Sequence, residues 1–168
     1  MSNALAIAAI TATLQNLLTK IPGVSHVTVK PLDTSRQGLN SNQINVFLYQ
    51  IGIDAALRNQ DMPHQVKPSE LGQPPLPLCL YYLITAFGES DDEVKAQQLL
   101  GQAMSVLHDH PLLGADEIKN AFPDSDLHEQ IERIRITLDP LSLEELSKLW
   151  SAFQTNYRLS VVYKCQSF

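Results

Sequence analysis

Two runs decide how the rest of this chain is read: INVFLYQ, residues 44–50, and LPLCLYYLITAFG, residues 76–88. In the first, Ile44, Val46 and Leu48 alternate with Phe47, Tyr49 and, one step on, Ile51. In the second, Leu78, Leu80, Tyr82 and Ile84 alternate with Cys79, Tyr81, Leu83 and Thr85. Strands apolar on both faces belong inside a sheet that is covered on both sides. These two are therefore the expected central strands. The connection between them, residues 54–77, holds Pro63, Pro68, Pro74, Pro75 and Pro77 and shows no stable period after Arg58. So long a loop in a compact domain is commonly functional, and its prolines lower the entropy lost when a partner orders it.

Working outward, Ile7, Ile10, Leu14 and Leu17 recur at spacings of three and four, which predicts an amphipathic helix from Ser2 or Asn3 to the Ile21-Pro22-Gly23 stop. Val24–Lys30 alternates, with Val27 and Val29 on one face, and reads as a half-exposed strand. Residues 31–42, PLDTSRQGLNSN, carry turn chemistry and read as a loop. Ser90 and Glu93 have the spacing of a capping box and open a helix to about His108 that buries Ala96, Leu99, Leu100, Ala103 and Leu107. Residues 111–123 read as a short helix between turns at Pro111 and Pro123, and Ile134, Ile136 and Leu138 mark another half-exposed strand. Ser142 and Glu145 repeat the capping-box spacing and open a helix whose Leu143, Leu146, Leu149, Trp150 and Phe153 point inward. Tyr157–Cys165 closes the sequence with strict alternation. The order predicts an α+β fold. A mostly antiparallel or mixed sheet of about five strands packs with three main helices, and residues 1–168 form one domain.

Composition agrees with a globular chain: 168 residues, 44% hydrophobic and 18% charged. A net charge of −6 with 12 scattered Lys and Arg residues disfavours a nucleic-acid partner. ALAIAAITA near the N-terminus lacks a basic leader and is interrupted by Thr11, Thr13, Gln15 and Asn16, so it reads as a core helix and not a signal peptide. No run reaches the ~18 apolar residues of a membrane span. Cys79 and Cys165, both in expected strands, read as buried free thiols in preference to a disulfide.

Catalytic motifs are absent: there is no GxSxG, CxxC or HExxH, and seven glycines leave little material for a phosphate-cradling loop. His108, Asp109 and His110 form the one dense group of metal ligands or proton carriers. Their spacing of two at a helix end suits carbonyl capping better than a shared metal, though a small metal-dependent hydrolase is the alternative they leave open. Arg58, Asn59 and Asp61 lie just past the first central strand, where a turn built on Asn59 and Asp61 competes with contact to a neighbouring subunit. Arg158 and Lys164 on the terminal strand join them as candidate protein-interface residues.

The two central runs stand together with LRNQDMP (57–63), AQQLLGQAMSVLHDHPLL (96–113), LSLEELSKLW (141–150) and YRLSVVY (157–163). In that order the sequence resembles the tail-terminator, or cap, proteins of phage-tail-like contractile injection systems. One departure is Cys79, which stands where the family commonly has an acidic residue after the PPLPL segment. The resemblance implies a structural protein without enzymatic activity, cofactor or nucleic-acid partner. It implies a hexameric ring at the membrane-distal end of the tail, with the inner tube protein, the contractile sheath protein and its own copies as partners. A tube-initiating or baseplate adaptor of the same particle is the alternative within that class. The expected location is cytoplasmic, within a particle that is released or membrane-attached, without direct membrane insertion. Because contractile sheaths are knitted by donated strands, Tyr157–Cys165 is the expected contributor to pairing between subunits.

Overall fold

The computed structural model describes residues 3–53, 78–121 and 134–167. Helix α1 spans Asn3–Thr19 and follows the expected apolar stripe, with Ala6, Ala9, Ile10, Leu14, Leu17 and Leu18 all buried. Six strands follow in the chain: β1 (His26–Thr28), β2 (Gln43–Ile53), β3 (Leu78–Phe87), β4 (Leu112–Leu113), β5 (Ile134–Leu138) and β6 (Ser160–Ser167). They form one sheet in the order β1-β2-β3-β6-β5-β4. Only β1 and β2 run parallel; the other neighbours are antiparallel. Both expected central strands are interior. Three further helices lie among the described residues: α2 (Glu93–Asp109), α3 (Ala115–Ala121) and α4 (Leu143–Ala152).

Alternation along β3 separates two cores. Leu80, Tyr82 and Ile84 face one way and join Ile44, Val46, Ile136 and Cys165 beneath α1, α2 and α3. Leu83 faces the other way and meets Val162, Leu32 and Trp150 beneath α4. Each fully buried large apolar side chain contributes on the order of 1.5–3 kcal/mol, so the first and larger cluster carries most of the stabilisation. A register shift between Leu48 and Gln50 leaves Tyr49 as the extra residue of a β-bulge. Its ring then packs near Tyr81, with 6.2 Å between centroids.

Several expectations are corrected. The sheet has six strands, because two residues inside the segment read as a short helix, Leu112 and Leu113, pair with β5 first. Strand β1 is three residues long, and Val29 lies beyond it, 44% exposed. The cap of α2 is Asp92, whose carboxylate accepts the N–H groups of Val94 and Lys95 at 3.0 and 3.3 Å. Ser90 cannot serve there because it sits in the left-handed region at φ 54°, one residue before Asp91 at 59°. Ser142 does cap α4, accepting from the Glu145 N–H at 3.1 Å. Leu143, however, is 66% exposed, since side chains at a helix start tilt back past the end of the surface the helix covers. Ile51 also projects into solvent beyond the bulge, 50% exposed.

The final strand differs most. Pairing with β3 begins at Ser160 opposite Thr85, so Tyr157 and Leu159 precede the strand and are largely exposed. Arg158 occupies the next backbone acceptor instead, donating from Nη2 to the Ala86 carbonyl at 2.9 Å. Since β6 lies between β3 and β5, Tyr163–Gln166 are paired on both edges and have none to offer a neighbouring subunit. Both cysteines are free and buried. Leu80 pairs with Cys165 and Cys79 with Gln166, which places the thiols on opposite faces of the sheet and precludes a disulfide.

Candidate functional site

Polar side chains converge where β3 runs into α2. Gln43 and Asn45 open β2 on the face that also carries Phe47, and both are fully buried. Asn45 accepts from Thr28 Oγ1 at 2.7 Å and from the Lys30 N–H at 3.0 Å, and donates to the Lys30 carbonyl at 2.9 Å. Gln43 donates to Thr28 Oγ1 and to the Ser35 carbonyl, each at 2.7 Å. The segment 29–42 is thereby held against the sheet without secondary structure of its own.

Arg36 projects from that segment toward the end of β3. Its Nη1 donates to the Ser41 carbonyl at 2.6 Å, and its Nη2 to the Gly88 carbonyl at 2.8 Å and to Asp91 Oδ1 at 3.4 Å. Arg158 approaches from the segment after α4, donating to Ala86 as described and to Glu93 Oε1 at 3.0 Å. Both guanidiniums lie over the Phe87 ring, 5.1 and 4.3 Å from its centroid. Around them Leu32, Ser35, Trp150 and Thr155 help line an open cleft of about 500 Å³. Gly88 is required at this corner by close approach, because a Cβ there would overlap the Asp92 carbonyl.

A second open groove, again about 500 Å³, lies between α2 and β5 and is lined by Met104, Leu107, Pro111, Ile136, Leu138 and Tyr163, among others. His108 borders it. His110 instead turns back on its own helix, its Nδ1 donating to the Val106 carbonyl at 2.8 Å, a C-terminal cap. Among the described residues no group of three or more His, Cys, Asp or Glu side chains gathers around a common point. No described helix is long and apolar enough to cross a membrane. Burial raises the Tyr82 and Tyr163 phenols and the Cys165 thiol above their ordinary proton affinities. Tyr49 is pushed up to about 12, first by burial and then by the charges of Asp139 and Glu145 and the Tyr81 phenol.

Of the expected interface residues, Arg58, Asn59 and Asp61 lie outside the described residues. Lys164 sits in the middle of the sheet on the face that α4 partly covers, between Tyr81 and Thr137. Arg158 precedes that strand and reaches the far end of β3 at Ala86, whereas Lys164 lies opposite Tyr81, so the two do not form one patch. Arg36, Gln43, Asn45 and Phe87 were not singled out from sequence. The available signal was polar residues at alternate positions, 43 and 45, entering an otherwise apolar strand.

Among the described residues a mixed sheet carries three helices on one face and one on the other, which defines an α+β domain. That class is shared with solved tail terminators of contractile injection systems. The family model of the Pvc16 N-terminal domain matches residues 7–166, and the chain belongs to that family. The sheath/tube terminator of PVC, an extracellular contractile injection system, in its extended state is 19% identical and superposes with a TM-score of 0.60 over 96% of this chain and 56% of that one. The tube-terminating cap of the anti-feeding prophage is 21% identical with a TM-score of 0.60 over 97% of this chain and 54% of its own. The chain thus spans little more than half the length of these solved chains. No curated protein matches.

Proposed function

We propose that this chain is a terminator of a contractile injection system, a structural protein that ends the inner tube and sheath at the distal end and catalyses no reaction. The observation that carries the reading is the family match across residues 7–166, reinforced by a fold shared over nearly the whole chain with two terminators. A stack of rings always leaves its last ring with an unsatisfied face. Growth ends when a subunit matches that face but not itself. Such a subunit closes a hexameric ring through a heterologous contact, burying on the order of 800 Å² per partner. The inner tube and sheath proteins are then its remaining partners, and its place is within the particle.

Arg58, Asn59 and Asp61, with Arg158 and Lys164, are the residues proposed to meet neighbouring subunits. Deleting the protein should give particles of irregular length by electron microscopy, and labelled protein should sit at the distal tip. Uniform particles without it would remove the terminator reading, and a proximal position would assign it to the adaptor class. Arg58→Glu should weaken assembly while leaving the thermal transition of the isolated protein almost unchanged; a large drop in that transition would assign Arg58 to the fold instead.

A further inference from the structure

We infer that Arg36, Phe87 and Arg158 form a latch that couples the 29–42 segment to the 153–159 segment, so that both open or close together. This goes beyond the terminator reading and holds whatever the chain assembles with. The two arginines lie 122 positions apart in sequence, yet repeat the same three contacts around the end of β3. Each lies over the Phe87 ring. One binds the carbonyl before Phe87, at Ala86, and the other the carbonyl after it, at Gly88. Each then pairs with a carboxylate at the entrance to α2, Asp91 for Arg36 at 3.4 Å and Glu93 for Arg158 at 3.0 Å. Loss of either guanidinium removes one wall from the same aromatic ring and one anchor from the same turn.

The turn between those anchors is held against its own preference. Ser90 and Asp91 are consecutive non-glycine residues in the left-handed region, a conformation that persists only when surroundings over-determine it. Its other fastenings come from the Arg36 side: the Ser90 N–H donates to the Asn40 carbonyl at 3.1 Å and the Glu89 N–H to Asn42 Oδ1 at 2.7 Å. The latch also carries a cost of its own, because the Nε–H groups of both arginines are buried without a hydrogen-bond partner. Strain in the turn and two orphaned donors favour release, whereas ring contact, carbonyls and carboxylates favour closure. Because both arginines share one ring and one turn, the latch closes with all of these contacts or opens with none. A partner that pulls on either segment therefore changes the other.

Hydrogen exchange on the full chain tests this with Arg36→Lys, Arg158→Lys, the double variant and Phe87→Leu, using the Leu83 and Ile84 amides as the reference for global opening. Arg158→Lys should speed exchange at Ser90 and, across the latch, at Gln37 and Leu39 by about tenfold, the scale of one well-formed cation–π contact. Arg36→Lys should do the same at Gln154 and Thr155. The double variant should loosen both segments further and to the same extent, since one opening step governs both. The inference is overturned if each lysine variant loosens only its own segment, or if the double variant loosens the two segments to different extents. Phe87→Leu keeps apolar bulk but removes the shared ring face. It should loosen both segments together, and loosening of one alone would equally defeat the coupling.

Discussion

Asn45 shows how a single amide can do the work of secondary structure. Lying between Ile44 and Val46, it reads in sequence as a blemish in an apolar strand, yet its three bonds to Thr28 and Lys30 hold β1 and the segment after it in place. The apolar positions were legible because burial depends on period alone, but a polar partner brought in from a distant segment leaves no local trace. Arg158 illustrates the same gap: expected on the terminal strand as an interface residue, it spends most of its donors within the chain. Tyr49 gives a prediction at this scale. Its phenol holds its proton to about 12 in the fold, whereas an unfolded phenol loses it near 10. Its contribution to stability is therefore complete below about pH 10 and is lost as pH rises from there toward about 12. Urea midpoints measured from pH 9 upward should fall, and Tyr49→Phe should flatten part of that fall. An unchanged slope in the variant would assign the loss to Tyr82, Tyr163 or other groups.

At the scale of elements, caps were read well where the backbone obeyed the usual rule and poorly where it was strained. Ser142 and Ser90 sit in the same sequence spacing, but only Ser142 has the extended backbone, φ −67° and ψ 159°, that a cap requires. Ser90 is turned left-handed by a corner whose shape is fixed by Gly88 and two arginines, which no helix signal encodes. Asp92→Ala should lower the free energy of unfolding by about 1 kcal/mol through loss of the cap. Ser90→Gly should raise it by about 1 kcal/mol through relief of the left-handed backbone. Chemical denaturation checks both, and a loss of stability in Ser90→Gly would restore the sequence-based cap. The exposure of Leu143 and the late start of β6 share one cause: alternation and helical period say which face a residue takes, not where the partner surface ends.

For the molecule as a whole, the α+β class, the interior place of β2 and β3 and the mixed sheet were all legible, because doubly apolar strands have few architectures open to them. Strand order was not. Nothing in the alternation of β6 distinguishes an edge from a central position, and its placement between β3 and β5 removed the expected donor of an intersubunit strand. Both cores share β3, with Tyr82 and Ile84 in one and Leu83 in the other. Loss of that strand empties both, so calorimetry should give one transition with matching calorimetric and van't Hoff enthalpies. Two resolved transitions would show that the α4 layer melts by itself.

The position of β6 also has a bearing on synthesis. Strands β4 and β5 reach the body of the sheet only through β6, the last of the six to be translated. A nascent chain can close the β2–β3 pair early, but it must keep Ile134 and Ile136 without their β6 neighbours until residues near 167 have left the ribosome. A chain cut short before that point has no means of presenting a finished surface. A truncated product therefore leaves β4 and β5 detached from the rest of the sheet.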